Sequence, residues 1–488
     1  MAIENQTKPD QLSDHQQDQH LLEEQPDRTS SWSALRPLLL RLHFYAGVLI
    51  APFLLVAALS GFLYSLSFQA EKIVYAHELE VPVGDKALPI SEQVAAARAA
   101  HPEGTVTAVW PAPEKDRTTR VLLSTPDVPD DRSLAVFVNP YDAEVRGELV
   151  SYGSSGALPL RTWLSELHRH LHLGELGRHY SELAASWLWV VVLGGVALWF
   201  GRRRARRRDL LVPAKGQAKG RPRTLSWHGA AGLWAAVGLL ALSATGLTWS
   251  KYTGVNIDAF KAQLGGATPV VDATLAGGTS AGGGHEGHGS GHGSGHGGGH
   301  GGGADIGVDR ALEIARGEGV DGQVSVILPV DGQGYVVKET DTEFPVHLDS
   351  VAVDPADGRV MDEVAFADYP LLAKLTRFGI DAHMGVFLGL PNQLALAALT
   401  AVTVLLIVWG YRMWWLRRPT KDRALRFGRP LPRGAWRKVP LPLLVPLAAV
   451  TVLVGWFVPL LGLSLLAFLA LDVTLGRVAR ARSASPRG

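Results

Sequence analysis

Four histidines in this sequence stand at positions that a repeat singles out for chemistry. The chain has 17 histidines and no cysteine. The missing thiols exclude a disulfide framework, thiolate metal sites, iron–sulfur clusters and covalent c-type haem attachment, which leaves histidine as the strong axial ligand. Sliding Leu42–Ala70 onto Thr224–Ser250 by 185 positions puts His43 on His228, Gly47 on Gly232, Ser60-Gly61 on Thr245-Gly246 and Tyr64 on Trp249. A second slide, of 215 positions, carries Leu183–Gly201 and the chain before it onto Ala382–Tyr411. It puts His168 on His383, Gly174 on Gly389, Trp199 on Trp414 and Arg202-Arg203 on Arg417-Arg418. The neighbouring His172 and His179 fall on Phe387 and Leu394 and drop out of the set. Imidazoles on adjacent helices are suitable axial ligands for b-type haem. His43 and His228 follow Arg41 and Arg223 near one membrane face. His168 and His383 lie toward the other, each before a bend at Gly174/Gly177 or Gly389/Pro391. Depth therefore groups the four into two bis-histidine pairs, one near each face, without naming the partners. Gly47, Gly61, Gly232 and Gly246 leave room between helices. A lone histidine at a span end is usually an interfacial side chain, and most tryptophans nearby fit an aromatic belt. Recurrence in both halves is the argument for function.

The elements that must carry these residues are membrane spans. The chain is 47% hydrophobic and 19% charged, and its apolar residues are gathered into long uncharged runs. Four of them, Leu42–Ala70, Leu183–Gly201, Thr224–Ser250 and Ala382–Tyr411, can cross a bilayer that needs about 20 helical residues. A fifth run, Val439–Leu471, is too long for one comfortable span, and Gly455 and Pro459 in its middle predict a hairpin of two helices. Charged residues are absent from these runs, which argues against a transporter coupling site. The basic stretches at Arg202–Arg208 and Arg412–Lys438 orient the loops between spans toward the cytoplasm. A nucleic-acid patch is not needed to explain them, and the net charge of +1 gives no support for one. Both termini are then cytoplasmic, and the first span is expected to act as an uncleaved signal anchor.

The expected fold is an α-helical integral membrane protein of about six transmembrane helices, four as a tandem duplication plus a C-terminal hairpin, with two small extracytoplasmic α+β domains. Its segments are a disordered tail over 1–35, the first span over 36–70 and a first outside domain over 71–160. An interfacial segment and second span follow over 161–201, then a basic loop over 202–225 and a third span over 226–250. Residues 251–276 form a connector, 277–304 a Gly/His-rich linker and 305–378 a second outside domain. The fourth span covers 379–415, a basic loop 416–438, the hairpin 439–476 and a cytoplasmic tail 477–488.

Each outside domain opens with a helix-like stretch, Ile90–Arg98 or Val308–Ala315, and continues in alternating strand-like runs. No nucleophile–base constellation stands out in either. In the linker, His285, His288, His292, His296 and His300 could capture Cu, Ni or Zn without fixed geometry, although a plain flexible linker accounts for the tract nearly as well. Its G-x-G-x-x-G match at Gly282, Gly284 and Gly287 lacks a preceding strand and a following helix and carries nothing.

Several of these pieces together resemble a known family. They are Leu42-His43-Phe44-Tyr45-Ala46-Gly47, Leu167-His168-Arg169, Trp227-His228-Gly229, His383-Met384-Gly385, Gly389-Leu390-Pro391-Asn392-Gln393 and Gly410-Tyr411-Arg412-Met413-Trp414-Trp415. The set is similar to the PepSY-associated transmembrane helix family of bacterial inner-membrane proteins, over about residues 35–475. The resemblance implies PepSY-like outside modules and transmembrane electron transfer by a di-haem b-type protein. His43, His168, His228 and His383 would then be the haem ligands. The electrons would come from an unidentified cytoplasmic or quinol donor and pass to an extracytoplasmic ferric siderophore or other metal complex, making the chain a possible metalloreductase. The alternative it carries is a non-enzymatic PepSY membrane scaffold that binds metal or regulates an extracellular peptidase.

Overall fold

The computed structural model describes residues 31–202, 208–214, 216–217, 219–275, 305–330, 332–417 and 433–484. The His-rich tract, with its five candidate metal-binding histidines, lies outside the described residues.

The first span is broken into α1 (Ser31–Leu49) and α2 (Ala51–Val74), with Ile50 between them. Pro52 explains the break, because it has no N–H to give the Val48 carbonyl one turn back. That carbonyl instead accepts the Tyr411 hydroxyl at 2.9 Å. The third span has Val237 at the equivalent position and runs unbroken. After the short α3 (Ala76–Leu79) comes α4 (Ile90–Ala100), then β1 (Thr105–Trp110), β2 (Thr119–Ser124), β3 (Arg132–Val138) and β4 (Val145–Tyr152). A short helix, α5 (Pro159–His170), leads into the second span, α6 (Gly174–Phe200). One turn, α7 (Arg208–Leu211), precedes the third span, α8 (Arg221–Thr248). The second half continues with α9 (Thr253–Gln263), α10 (Gly307–Gly317), β5 (Val324–Ile327), β6 (Tyr335–Glu339), β7 (Ser350–Val353) and β8 (Val360–Val364). It ends in α11 (Leu371–Met384), α12 (Leu390–Trp415), α13 (Leu441–Phe457) and α14 (Pro459–Ala484).

Five described helices are long and apolar enough to cross a membrane: α2, α6, α8, α12 and the Pro459–Val478 part of α14. The chain is a helical membrane protein. With 17 residues, α13 is shorter than that group. Gly455 and Gly462 let α13 and α14 meet closely, since a Cβ at Gly462 would lie 2.4 Å from the Gly455 carbonyl oxygen.

The strand-like runs do not make two separate sheets. They join into one antiparallel sheet of eight strands, ordered β4-β3-β2-β1-β5-β6-β7-β8. The junction pairs Val109 with Val326 and Ala108 with Ile327. One face of the sheet packs Val109, Val121, Val136, Val326, Val337 and Val351 against Val94 and Ala97 of α4 and Ala311 and Ala315 of α10. The other face buries Ala108, Leu122, Ala135 and Phe137 with Leu79 and Leu158, which flank the membrane helices. The alternating β pattern thus feeds two cores, one on each face.

The helices also run past the uncharged runs at which a span is cut from sequence. Glu71, Glu182 and Asp472 therefore lie inside α2, α6 and α14, contrary to the expectation of charge-free spans. Each has a structural partner. Glu182 caps α9 by accepting the Tyr252 and Thr253 N–H groups at 3.1 and 3.0 Å and the Thr253 hydroxyl at 2.8 Å. Asp472 pairs with Arg41 at 2.5 Å and Arg433 at 3.0 Å. Glu71 pairs with Arg161 at 3.1 Å.

Candidate functional site

The bundle brings the four repeat-related histidines together as two pairs. His43 of α1 faces His228 of α8 with ring centroids 6.4 Å apart, and His168 of α5 faces His383 of α11 at the same 6.4 Å. The planes are inclined by 71° and 57°. An imidazole nitrogen lies about 2 Å from a bound first-row metal and roughly 1 Å from its own ring centroid, so two rings sharing one metal axially have centroids about 6 Å apart. Both pairs meet that spacing.

The hydrogen bonds fix which nitrogen is available. His43 Nδ1 lies 2.9 Å from the Val191 carbonyl oxygen, and His228 Nδ1 lies 3.1 Å from that of Leu406. A carbonyl only accepts, so each Nδ1 carries the proton. Val191 and Leu406 are themselves repeat equivalents, 215 positions apart. In the other pair, His168 Nδ1 lies 2.9 Å from Ser60 Oγ and His383 Nδ1 2.7 Å from Thr245 Oγ1. A hydroxyl could take either role, but it has one proton. Ser60 donates that proton to the Val56 carbonyl at 2.8 Å and Thr245 to the Ala241 carbonyl at 2.7 Å, each one turn back in its helix. Both hydroxyls must therefore accept from the imidazole. All four rings are held as the Nδ1–H tautomer, which leaves the Nε2 lone pair as the atom that could coordinate. This is the outer-sphere arrangement typical of metal-bound histidine.

Glycine lets the rings approach the neighbouring helices closely. A Cβ at Gly61 would lie 3.2 Å from His168 Cε1, and one at the equivalent Gly246 3.5 Å from His383 Cε1. Beside His43 the glycine is Gly195, where a Cβ would lie 2.9 Å from Cε1. Gly47 borders open space, with nothing within 4 Å of an added Cβ. Sequence reasoning found Gly61 and Gly246 but missed Gly195, whose repeat counterpart Gly410 has no such neighbour. All four rings are only half-buried despite their place inside the bundle. The donor set and its surroundings fit two bis-imidazole metal centres, and a macrocycle such as haem suits the helix-to-helix pairing.

The expected bends are complete breaks. At Leu171 and His172 the chain takes left-handed φ values of 53° and 54°, and at Gly385 one of 88°. His168 and His383 are thus carried on short helices distinct from the spans. Their anchorage differs. The Glu71 carboxylate at the end of α2 holds the Arg161 guanidinium and also accepts the Arg161 main-chain N–H at 3.0 Å, at the start of α5. Arg161 donates onward to the Ser155 and Gly156 carbonyls. Arg120 of β2 also donates to Gly156, at 3.2 Å, and lies over the Trp110 and Phe137 rings. Burial, and then the charge of Arg161, bring the Arg120 guanidinium down to about 10. In the second half Arg377 pairs with the fully buried Asp381 at 2.8 Å on the same helix as His383.

Among the described residues, no group of three or more His, Asp or Glu side chains is arranged to hold a bare metal ion. His172 lies near Trp163 and, at 6.0 Å between ring centroids, beside His170 two residues away on the same turn, and His179 bonds the Tyr252 hydroxyl at 2.9 Å, so neither meets one of the four repeat-related histidines. No curated protein matches the chain. The family described as the PepSY-associated TM region matches residues 40–417, a stretch that includes all four paired histidines and the sheet. The chain therefore belongs to the PepSY-associated TM region family.

Proposed function

We propose that this membrane protein carries electrons across a bacterial inner membrane through two b-type haems. His43 and His228 would hold one, His168 and His383 the other. The observation that supports this most is the pair of repeat-related histidine couples, each at 6.4 Å with Nδ1 hydrogen-bonded. Bound in such a site, haem supplies a one-electron ferric/ferrous couple. The protein's own part is to orient the rings and fix the tautomer. Seventeen residues separate His43 from Ser60 and His228 from Thr245, so the two pairs lie about 25 Å apart along the helices.

In this reading the basic loops and both termini are cytoplasmic. The hairpin of α13 and α14 completes six transmembrane helices. The joined sheet, read as two PepSY domains, lies outside near the His168–His383 pair. An oxidised metal complex such as a ferric siderophore is the acceptor, and a cytoplasmic or quinol donor supplies the electrons. The His-rich linker could gather metal near the sheet.

The test is a reduced-minus-oxidised spectrum of full-length protein purified from haem-replete cells. Soret and α bands equivalent to two haems are expected, falling to one in His43→Ala and in His228→Ala alike. Folded protein without those bands would overturn the reading and leave the non-enzymatic scaffold in its place.

A further inference from the structure

The basic end of the bundle holds a cleft that electron transfer does not require. It has a volume of ≈ 500 Å³ and lies between the start of α8 and the end of α12. Lys219, Arg223 and Arg412 line it with Trp227 and Trp409, whose rings lie 6.2 Å apart. Arg412 contacts the Thr224 hydroxyl, while Lys219 and Arg223 make no ion pair among the described residues. Among the described residues, no carboxylate lines the cleft. Three cations around one space select an anion, and the indoles place it at the boundary between water and hydrocarbon.

The repeat shows that the cleft is not a by-product of the helix packing. Shifted by the two repeat offsets, Lys219, Arg223 and Trp227 fall on Ala34, Leu38 and Leu42, and Trp409 and Arg412 fall on Gly194 and Ala197. Every counterpart is apolar or glycine. Below the cleft the α8–α12 face continues as an exposed apolar stripe, with Val237 at 79%, Val408 at 51% and Leu405 at 46%.

The geometry points to a binding site for one anionic phospholipid. Lys219, Arg223 and Arg412 take the headgroup phosphate, the indoles flank the glycerol, and the acyl chains run down the Val237–Leu405 stripe.

Spin-labelled phosphatidylglycerol and phosphatidylcholine, each added to nanodiscs that hold the full-length protein, test the assignment. The motionally restricted fraction of phosphatidylglycerol should exceed that of phosphatidylcholine. Arg223→Gln and Lys219→Gln should each weaken its association about fivefold, the equivalent of about 1 kcal/mol per surface charge. Arg437→Gln, which removes a cation from the hairpin side, should leave it unchanged. Equal restriction of the two lipids would overturn the proposal, as would an equal loss in Arg437→Gln, which would mark bulk attraction. Displacement by millimolar inorganic phosphate would also overturn it, by showing a free-anion site rather than a lipid site.

Discussion

At His43 and His228 the Nδ1 proton goes to main-chain carbonyls, whereas at His168 and His383 it goes to the hydroxyls of Ser60 and Thr245. A carbonyl inside a continuous helix is set by the helix itself, and no side-chain substitution removes it. A hydroxyl can be deleted, and here its direction depends on a further bond to the preceding turn. The scaffolds differ in the same sense. One pair sits on the long helices α1 and α8, the other on the short helices α5 and α11 that hang between sheet and bundle. Two sites of the same composition are therefore unequal, with one built into the bundle and the other held by side chains.

The contrast can be broken most forcefully at Glu71. Removing this carboxylate leaves the buried Arg161 guanidinium without its counter-charge and the Arg161 main-chain N–H without its acceptor, which costs about 3–5 kcal/mol for a buried pair. Glu71→Ala should lower the melting temperature in detergent and remove the spectral signature of the His168–His383 centre, while that of His43–His228 persists. Equal loss of both would show that the two pairs share one anchorage. A smaller effect is expected at the hydroxyls. Ser60→Ala and Thr245→Val should each weaken haem retention at the His168–His383 centre by about 10–100-fold, measured by transfer to apomyoglobin, with no change at the other centre. The smallest change lies at the basic end. Tyr411→Phe removes the donor to the Val48 carbonyl that Pro52 cannot serve, and should cost about 1 kcal/mol in chemical denaturation without changing either spectrum.

Much of this was legible in sequence because a duplication supplies its own internal alignment. Two gapless slides isolated His43, His168, His228 and His383, and the depth of each relative to basic residues separated the near pair from the far one. The Gly455–Pro459 turn was legible for the same local reason, since both residues interrupt an overlong apolar run. Other features depend on tertiary geometry that periodicity does not encode. Glu71, Glu182 and Asp472 fall beyond the uncharged runs, yet helices continue through them wherever a partner satisfies the charge. The bonds from histidine to Val191 and Leu406 involve main-chain atoms and leave no residue-type signature. Gly195 faces His43, but Gly410, its partner in the repeat, faces no ring, so the alignment gave no reason to select it.

The pairing of β1 with β5 closes two strand edges at once. Val109 faces Val326 and Ala108 faces Ile327 across the junction. Either half alone would leave its first strand as an unpaired edge, open to any other strand that met it. Joined, the two halves close those edges on each other, and the ends of the sheet lie at β4 and β8.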